Sequence, residues 1–349
     1  HYVYVSRAGR KGSPVNKNVP GGRGWYPDAL IPFDAPGTLE IPSHPFSVEP
    51  RRNQPIWIDV YVPETASAGT YTSRYTVESE EGIISGEITL DVWDFTLAKT
   101  PSLNSSFLIW EENTPEMRRL LTDHKMMPRF TPQDEQVNAI ASNGLNSTDL
   151  FFWGQANVDR CELPPPPSVE EMQRRKDSFQ QNQLIYNYTA DEIDGCTQLY
   201  DDVKAWARNL HQVGVKQLIT MYPINELFDD GTGQPAVDIW VFTPRLYLDN
   251  RNAQGLLDRA LELGEAWSYT ALMELDDTPK WGIDYLPMNH RIMHGFLNQV
   301  YGLTGVLYWR VDLWLDNPWR NVTDSIETWP AGEGMLTYPG REIGMNQAA

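Results

Sequence analysis

Positive charge is what this sequence has least of: 28 Lys and Arg stand against 47 Asp and Glu, a formal net charge of -19 over 349 residues. Such a field repels phosphate backbones and anionic membrane surfaces wherever salt does not screen it, so neither nucleic acid nor a membrane is an expected partner. Long apolar runs are also missing. Asp, Arg or Pro interrupts each candidate before the roughly 20 residues needed to span a bilayer. Cysteine is down to two, Cys161 and Cys196, which excludes a disulfide framework and leaves open one bridge across a sizeable loop. Nucleophile elbows and phosphate-binding glycine loops are absent, so serine-hydrolase and nucleotide chemistries lose support. His290 and His294 in "HRIMH" have metal-ligand spacing, but Arg291 replaces the Glu that follows the first His in zinc peptidases. "FDDGTGQP", 228–235, lacks the spaced ligands and closing Glu of a calcium loop and is read as a surface turn. No metal and no cofactor is expected.

The sequence begins at His1 rather than Met and shows no signal-peptide pattern, which suggests a processed chain or part of a longer extracellular polypeptide. Four Asn-x-Ser/Thr sequons, at Asn104, Asn146, Asn187 and Asn321, would be usable in a secreted glycoprotein. Secretion is therefore the expected location.

At this length two unequal domains are expected. Ile56, Ile58, Val60 and Val62 alternate with Trp57, Asp59 and Tyr61, and the pattern returns in Tyr71 to Val77 and in Ile88, Leu90 and Val92. Period-two alternation broken by "PETASAG" and "SEEG" predicts antiparallel strands with one buried face, hence an all-β sandwich over 1–100. "PFDAPGTLEIP" offers a further short strand. After "AKTPSL" short apolar runs alternate with helix-period segments. The strand candidates are "SSFLIW", "DLFFW", "QLIYNYTADE", "VKQLITMYP", "VDIWVF", "EAWSYTALM" and "TGVLYWRVDLW". A capping box, Ser168 with Glu171, opens one helix, and Val203, Trp206, Leu210 and Val213 stripe another that Gly214 stops. A third helix runs Leu256 to Leu263, and a fourth places Ile292, Met293, Phe296, Leu297 and Val300 on one face. "PPPP", 164–167, is a stiff connector. Alternation over 101–349 predicts an α/β TIM-type (β/α)8 barrel, whose chemistry sits at the strand C-termini.

"IYNYTADEIDGC" ends such a strand with Asp191 and Glu192. Successive strand residues face opposite ways, so both can enter one pocket only if the chain turns there. Two close carboxylates push each other's pKa apart, leaving one protonated as an acid and the other charged. Taken alone, a strand-terminal Asp-Glu is more often solvated or a helix cap. Aromatic residues crowd the same strand ends, among them Trp110, Trp153, Trp240, Tyr308, Trp309 and Trp314. Many would simply pack between strands and helices. "YWRVDLWLDNPW" interleaves Trp309, Trp314 and Trp319 with Arg310, Asp312 and Asp316, a mix of flat apolar faces and fixed polar groups that suits a sugar ring.

"QPIWIDVYVPETASAGTYT", "VWDFTL", "VDIWV", "WSYTALME", "HRIMHGF", "GVLYWRVDLW...NPW" and "GEGMLTYPG", in that order over about 53 to 345, resemble glycoside hydrolase family 123 and its largely uncharacterised relatives. The resemblance implies a β-sandwich followed by a TIM-type barrel. It also implies retaining hydrolysis of β-linked N-acetylhexosaminides, N-acetylgalactosamine favoured, by substrate-assisted catalysis. The family's adjacent Asp-Glu pair matches Asp191, which would hold the acetamido N-H, and Glu192, which would be the acid/base. Tyr188, Tyr222 and Tyr269 are candidates to hold the acetamido oxygen, and Trp240, Trp309, Asp312 and Trp314 to line the substrate site. Relatives continue past "YPG" into a helical segment, so a final barrel helix is expected either to be absent or to belong to a continuation of the chain.

Two rival readings stay open. One is a non-catalytic extracellular glycan-binding or structural module on a hydrolase-like fold, since fold does not imply activity. The other keeps hydrolysis but pairs a more distant carboxylate such as Asp312, its separation deciding retention or inversion.

Overall fold

The computed structural model describes residues 1–8, 19–39, 41–157, 159–243, 251–270, 280–314, 317–323 and 329–345. The chain divides into two compact units, His1–Arg52 with Thr100–Ala349, and Asn53–Lys99. The small unit holds one antiparallel hairpin, β3 (Gly69–Ser79) with β4 (Gly82–Val92), in register from Gly69 opposite Val92 to Ser79 opposite Gly82. The expected sandwich is not formed among the described residues. Residues 54–62 alternate as a strand should, yet pair with nothing as a strand, and 32–42 contributes no described strand either. Alternation marks a run able to lie on a pleated surface; it does not supply the neighbouring edge that completes its hydrogen bonds.

In the large unit the N-terminal hairpin, β1 (Tyr2–Val5) with β2 (Gly24–Pro27), buries Val3 and Val5 with Trp319, Val322, Tyr338 and Ile343. The principal element is a seven-stranded, all-parallel sheet. Its strands are β5 (Asn104–Phe107), β6 (Ser147–Asp149), β7 (Leu184–Asp191), β8 (Lys216–Thr220), β9 (Ile239–Phe242), β10 (Glu265–Thr270) and β11 (Gly305–Tyr308). They lie in the order β5-β11-β10-β9-β8-β7-β6. Six of the seven apolar runs expected to be strands coincide with one, while "DLFFW" meets β6 only at Asp149.

The (β/α)8 barrel expectation is nevertheless corrected. Seven strands curl into a nearly closed barrel, and the gap between β5 and β6 is spanned by the extended segment 127–129. There Phe107 N donates to Met127 O (2.8 Å), Arg129 N to Phe107 O (2.9 Å) and Asp149 N to Arg129 O (2.8 Å). Nor does an α-helix follow every strand. From β8 to β9 the described chain makes only a 3-10 turn, Asn225–Leu227, because the Pro, Asn, Asp and Gly residues of 222–235 favour turns.

Helices that do form follow their sequence signals. Ser168 Oγ accepts from Glu171 N (3.2 Å) at the start of the helix Val169–Lys176, as the capping box predicts. The helix from Tyr200 to Gln212 buries Val203, Trp206, Ala207 and Leu210 and is followed by Gly214 at φ 66°. Burying each large side chain there contributes roughly 1.5–3 kcal/mol. "PPPP" lies along this helix, Pro164 O accepting from Trp206 Nε1 and Pro167 O from Asn209 Nδ2.

The expected fourth helical face is displaced. A π turn at Ile292–Phe296 shifts the phase, so Met293, His294 and Asn298 are buried while Phe296 and Val300 are exposed. His290 and His294 pack on Trp281, and His294 Nδ1 pairs with Ser268 Oγ (2.8 Å). Burial lowers the His294 pKa to about 3.

Both faces of the parallel sheet are covered. Tyr186, Tyr188, Leu218, Ile239, Val241, Trp267 and Leu307 fill the inside of the curl, while Ile185, Ala190, Ile219, Trp240 and Phe242 join the outer layer with the helices.

Candidate functional site

The site lies at the C-terminal ends of the parallel strands and depends on an irregularity in β7. Tyr188 pairs with Leu218, but Ala190, not Thr189, pairs with the next residue, Ile219, and Asp191 pairs with Thr220. This bulge spends two residues of β7 on one of β8 and reverses the facing that follows. Ala190 falls in the outer core, and Asp191 comes to the inner face above Tyr188, where an unbulged strand would have turned it outward. Glu192 then adopts φ 50°, a left-handed conformation uncommon for a residue with a side chain. Its carboxylate thereby enters the same interior.

A hydrogen-bond chain fixes each carboxylate. Tyr188 O–H donates to Asp191 Oδ1 (2.7 Å), and Tyr188 Oη and Thr220 Oγ1 are 2.6 Å apart. Because a phenol has one proton, already given to Asp191, Thr220 donates to Tyr188. From β10, Tyr269 O–H donates to Glu192 Oε1 (2.6 Å). Burial, with the charge of Glu192, raises Asp191 above the usual carboxylate range, against the hydrogen bond from Tyr188 and the Arg129 charge. Burial beside the carboxylates holds Tyr188 and Tyr269 protonated well above pH 10.

Arg129 lies next to this chain. Its guanidinium sits 4.9 Å from the Tyr188 ring centre, 5.0 Å from Phe151 and 5.6 Å from Trp153, and its Nε donates to the fully buried Asp149 (2.5 Å). Asp149 Oδ1 also accepts from Tyr188 N (3.1 Å) and Phe151 N (2.9 Å). The loop after β6 runs beside the bulge, with Gly154 N donating to Thr189 O and Asp191 N to Ala156 O. A side chain at Gly154 would meet Thr189 O at 2.7 Å, so the approach requires glycine there. Cys161 and Cys196 are joined in a disulfide that ties this loop to the turn after Glu192.

The expected substrate-site residues divide. Tyr188 and Tyr269 reach the carboxylate pair, though the Tyr269 hydroxyl is committed to Glu192. Tyr222 stays near the rim, its hydroxyl paired with Thr243 Oγ1 (2.7 Å) and its N–H donating to Asp194 (2.9 Å). Trp309 Nε1 donates to Glu333 Oε1 (3.0 Å), and burial raises that carboxyl to about 7.

Trp240 is only 1 % exposed and packs on Phe228 in the outer layer, because alternate residues of β9 face outward. Asp312 is fully buried, accepting the backbone N–H groups of Trp110, Glu111 and Glu112, which makes it the anchor of that turn and not a second catalytic carboxylate. Trp314 donates to Thr337 O and packs among core residues. Asp316 lies outside the described residues.

Among the sequons, Asn187 is fully buried and its amide binds Phe152 O, Phe152 N and Thr189, so no glycan fits there in the folded chain. Asn104 and Asn146 are half-buried and hydrogen-bonded, while Asn321 is exposed.

Arg129, Asp149 and Thr220 had no sequence signal: each is a single polar residue in or beside an apolar strand, and only the sheet brings them to Asp191. Among the described residues no group of three His, Cys, Asp or Glu is placed to hold a metal, and no helix is long and apolar enough to cross a membrane. A scan of the chain against protein-family models returns no match, and a search of curated proteins returns no similar sequence.

Proposed function

We propose that the chain is a glycoside hydrolase acting on β-linked N-acetylhexosaminides, N-acetylgalactosaminides first, through the substrate's own acetamido group. The observation that carries this reading is the bulge-and-turn at 189–192, which brings two adjacent carboxylates to one face, each held by its own tyrosine. Asp191, ionised, accepts the acetamido N–H and offsets the positive charge that develops as the acetamido oxygen attacks the anomeric carbon. Glu192 supplies the proton to the leaving oxygen and then takes one from the incoming water. With Oε1 accepting from Tyr269, that proton sits on Oε2. No protein nucleophile is needed, which sets the mechanism apart from the two-carboxylate retaining scheme. The disulfide supports folding in an oxidising compartment, so the same reading places the protein outside the cytosol.

Glu192→Gln should abolish turnover of substrates with poor leaving groups while sparing part of the activity on activated aryl glycosides, whose departure needs little protonation. Asp191→Asn should lose both. Undiminished hydrolysis by the two variants overturns the assignment.

A further inference from the structure

A cavity of about 200 Å³ opens past the C-terminal ends of β5 and β6, lined by Leu108, Trp110, Asn113, Arg129, Phe130 and Phe151. One water needs roughly 10–15 Å³ on this measure, so the space suits something much larger than a single solvent molecule. Arg129 and Tyr188 link it to the pair: Arg129 lines the cavity and lies 4.9 Å from the ring centre of Tyr188, whose hydroxyl binds Asp191.

Its aromatic surfaces are exposed yet held in place. Trp110 is 61 % exposed, but its backbone N–H is fixed by the buried Asp312 carboxylate and its Nε1 donates to Trp309 O (3.0 Å). Phe151 is 46 % exposed and sits at φ 70°, with its N–H bound to Asp149. A bulky residue in the left-handed region stores strain, and such strain gathers at ligand sites. The core gains little from either ring. Charge decides the ligand class. Arg129 is neutralised by Asp149, and Arg310, 5.5 Å from the Trp110 ring, is paired with Glu111 and Asp312. With no net positive charge left for an anion, what remains is flat apolar faces with the polar ends of Arg129 and Asn113 among them, the complement of a neutral sugar with C–H faces and hydroxyl edges.

The geometry points to this cavity as a binding subsite for a second, uncharged sugar ring of a glycan chain whose cleaved unit lies at Asp191 and Glu192. The identity of that cleaved unit rests on the function proposed above; the subsite itself does not. Chitotetraose, cellotetraose and β-1,3-galactotetraose are titrated calorimetrically into the Glu192→Gln protein, with and without Trp110→Ala or Phe151→Ala. Both aromatic rings are exposed, so the variants should fold, which a thermal melt checks. At least one tetrasaccharide should bind, and either aromatic variant should weaken it about tenfold or more. Trp25→Ala, an exposed tryptophan on β2, should keep the affinity of the parent. Binding that depends on Trp110 without hydrolysis of any N-acetylhexosaminide by the wild type keeps the subsite and removes the proposed activity. Hydrolysis with tetrasaccharide affinity unchanged in both aromatic variants removes the subsite and keeps the activity. Failure of all three glycans to bind at millimolar concentration overturns the subsite.

Discussion

Replacing Tyr188 by Phe removes one oxygen from the centre of the site and leaves the ring against Arg129 in place. That oxygen donates to Asp191 Oδ1 at 2.7 Å and receives the Thr220 hydroxyl at 2.6 Å. A hydrogen bond to a charged group contributes about 1.5–3 kcal/mol, so if Asp191 must be ionised to hold the acetamido group, kcat/KM should fall about ten- to hundredfold. The direction of the pH shift is the sharper test. Burial, then the charge of Glu192, pushes Asp191 up, and Tyr188 is the largest influence holding it down. Without the phenol the carboxyl titrates at higher pH, and the acid limb of kcat/KM on a chromogenic N-acetyl-β-hexosaminide should move to higher pH. Thr220 loses an acceptor inside the sheet, a cost of about 1–3 kcal/mol that a denaturation curve records separately. A folded variant whose acid limb stays in place, or moves to lower pH, refutes the role given to Asp191.

Three further outcomes follow from named contacts. Asp191 is raised by burial in the folded state, so its stabilising contribution is present below its unfolded value near pH 4 and is lost as pH rises through the folded value. Asp191→Asn should therefore melt no lower than wild type at neutral pH, and any advantage should shrink on acidification. At His211 burial opposes protonation, but the hydrogen bond and charge of Asp238, at 2.9 Å, with the charge of Asp230, outweigh it and raise the pKa. That contribution is complete below about pH 6.5 and disappears as pH rises through the folded value, so the stability gap between wild type and His211→Gln should narrow on going from mildly acidic to alkaline buffer. The disulfide closes a loop of 35 residues' separation, and the double replacement Cys161→Ala with Cys196→Ala should lower unfolding free energy by about 3–4 kcal/mol in urea titrations.

The sequence carried strand positions well and pairings poorly. Six of the seven apolar runs from "SSFLIW" to "TGVLYWRVDLW" coincide with a strand, because a sheet buried on both faces needs near-continuous β-branched and aromatic residues, while "DLFFW" meets β6 only at Asp149. The same logic failed at 54–62, where an equally regular alternation finds no edge to join. The expected (β/α)8 barrel had only seven strand candidates, and between β5 and β6 the segment 127–129 merely bridges, held by backbone hydrogen bonds that no residue type announces. At the site, the Asp191-Glu192 dipeptide was visible, but its facing was not. Thr189 resembles any strand residue, and only pairing with β8 shows that it is the bulge that turns Asp191 inward. Trp240 shows the converse: an aromatic at a strand end, placed by parity in the outer core. Asn187 satisfies a sequon in sequence and is excluded by burial.

Asp191 and Glu192 are proposed to act on a sugar through its acetamido group. Release of p-nitrophenol from its N-acetyl-β-galactosaminide and N-acetyl-β-glucosaminide, with and without an N-acetylhexosamine-derived thiazoline, tests it most directly. Turnover of at least one glycoside is expected, competitively blocked by the thiazoline, which mimics the cyclised intermediate. Turnover of neither, or turnover that the thiazoline leaves untouched, would contradict it.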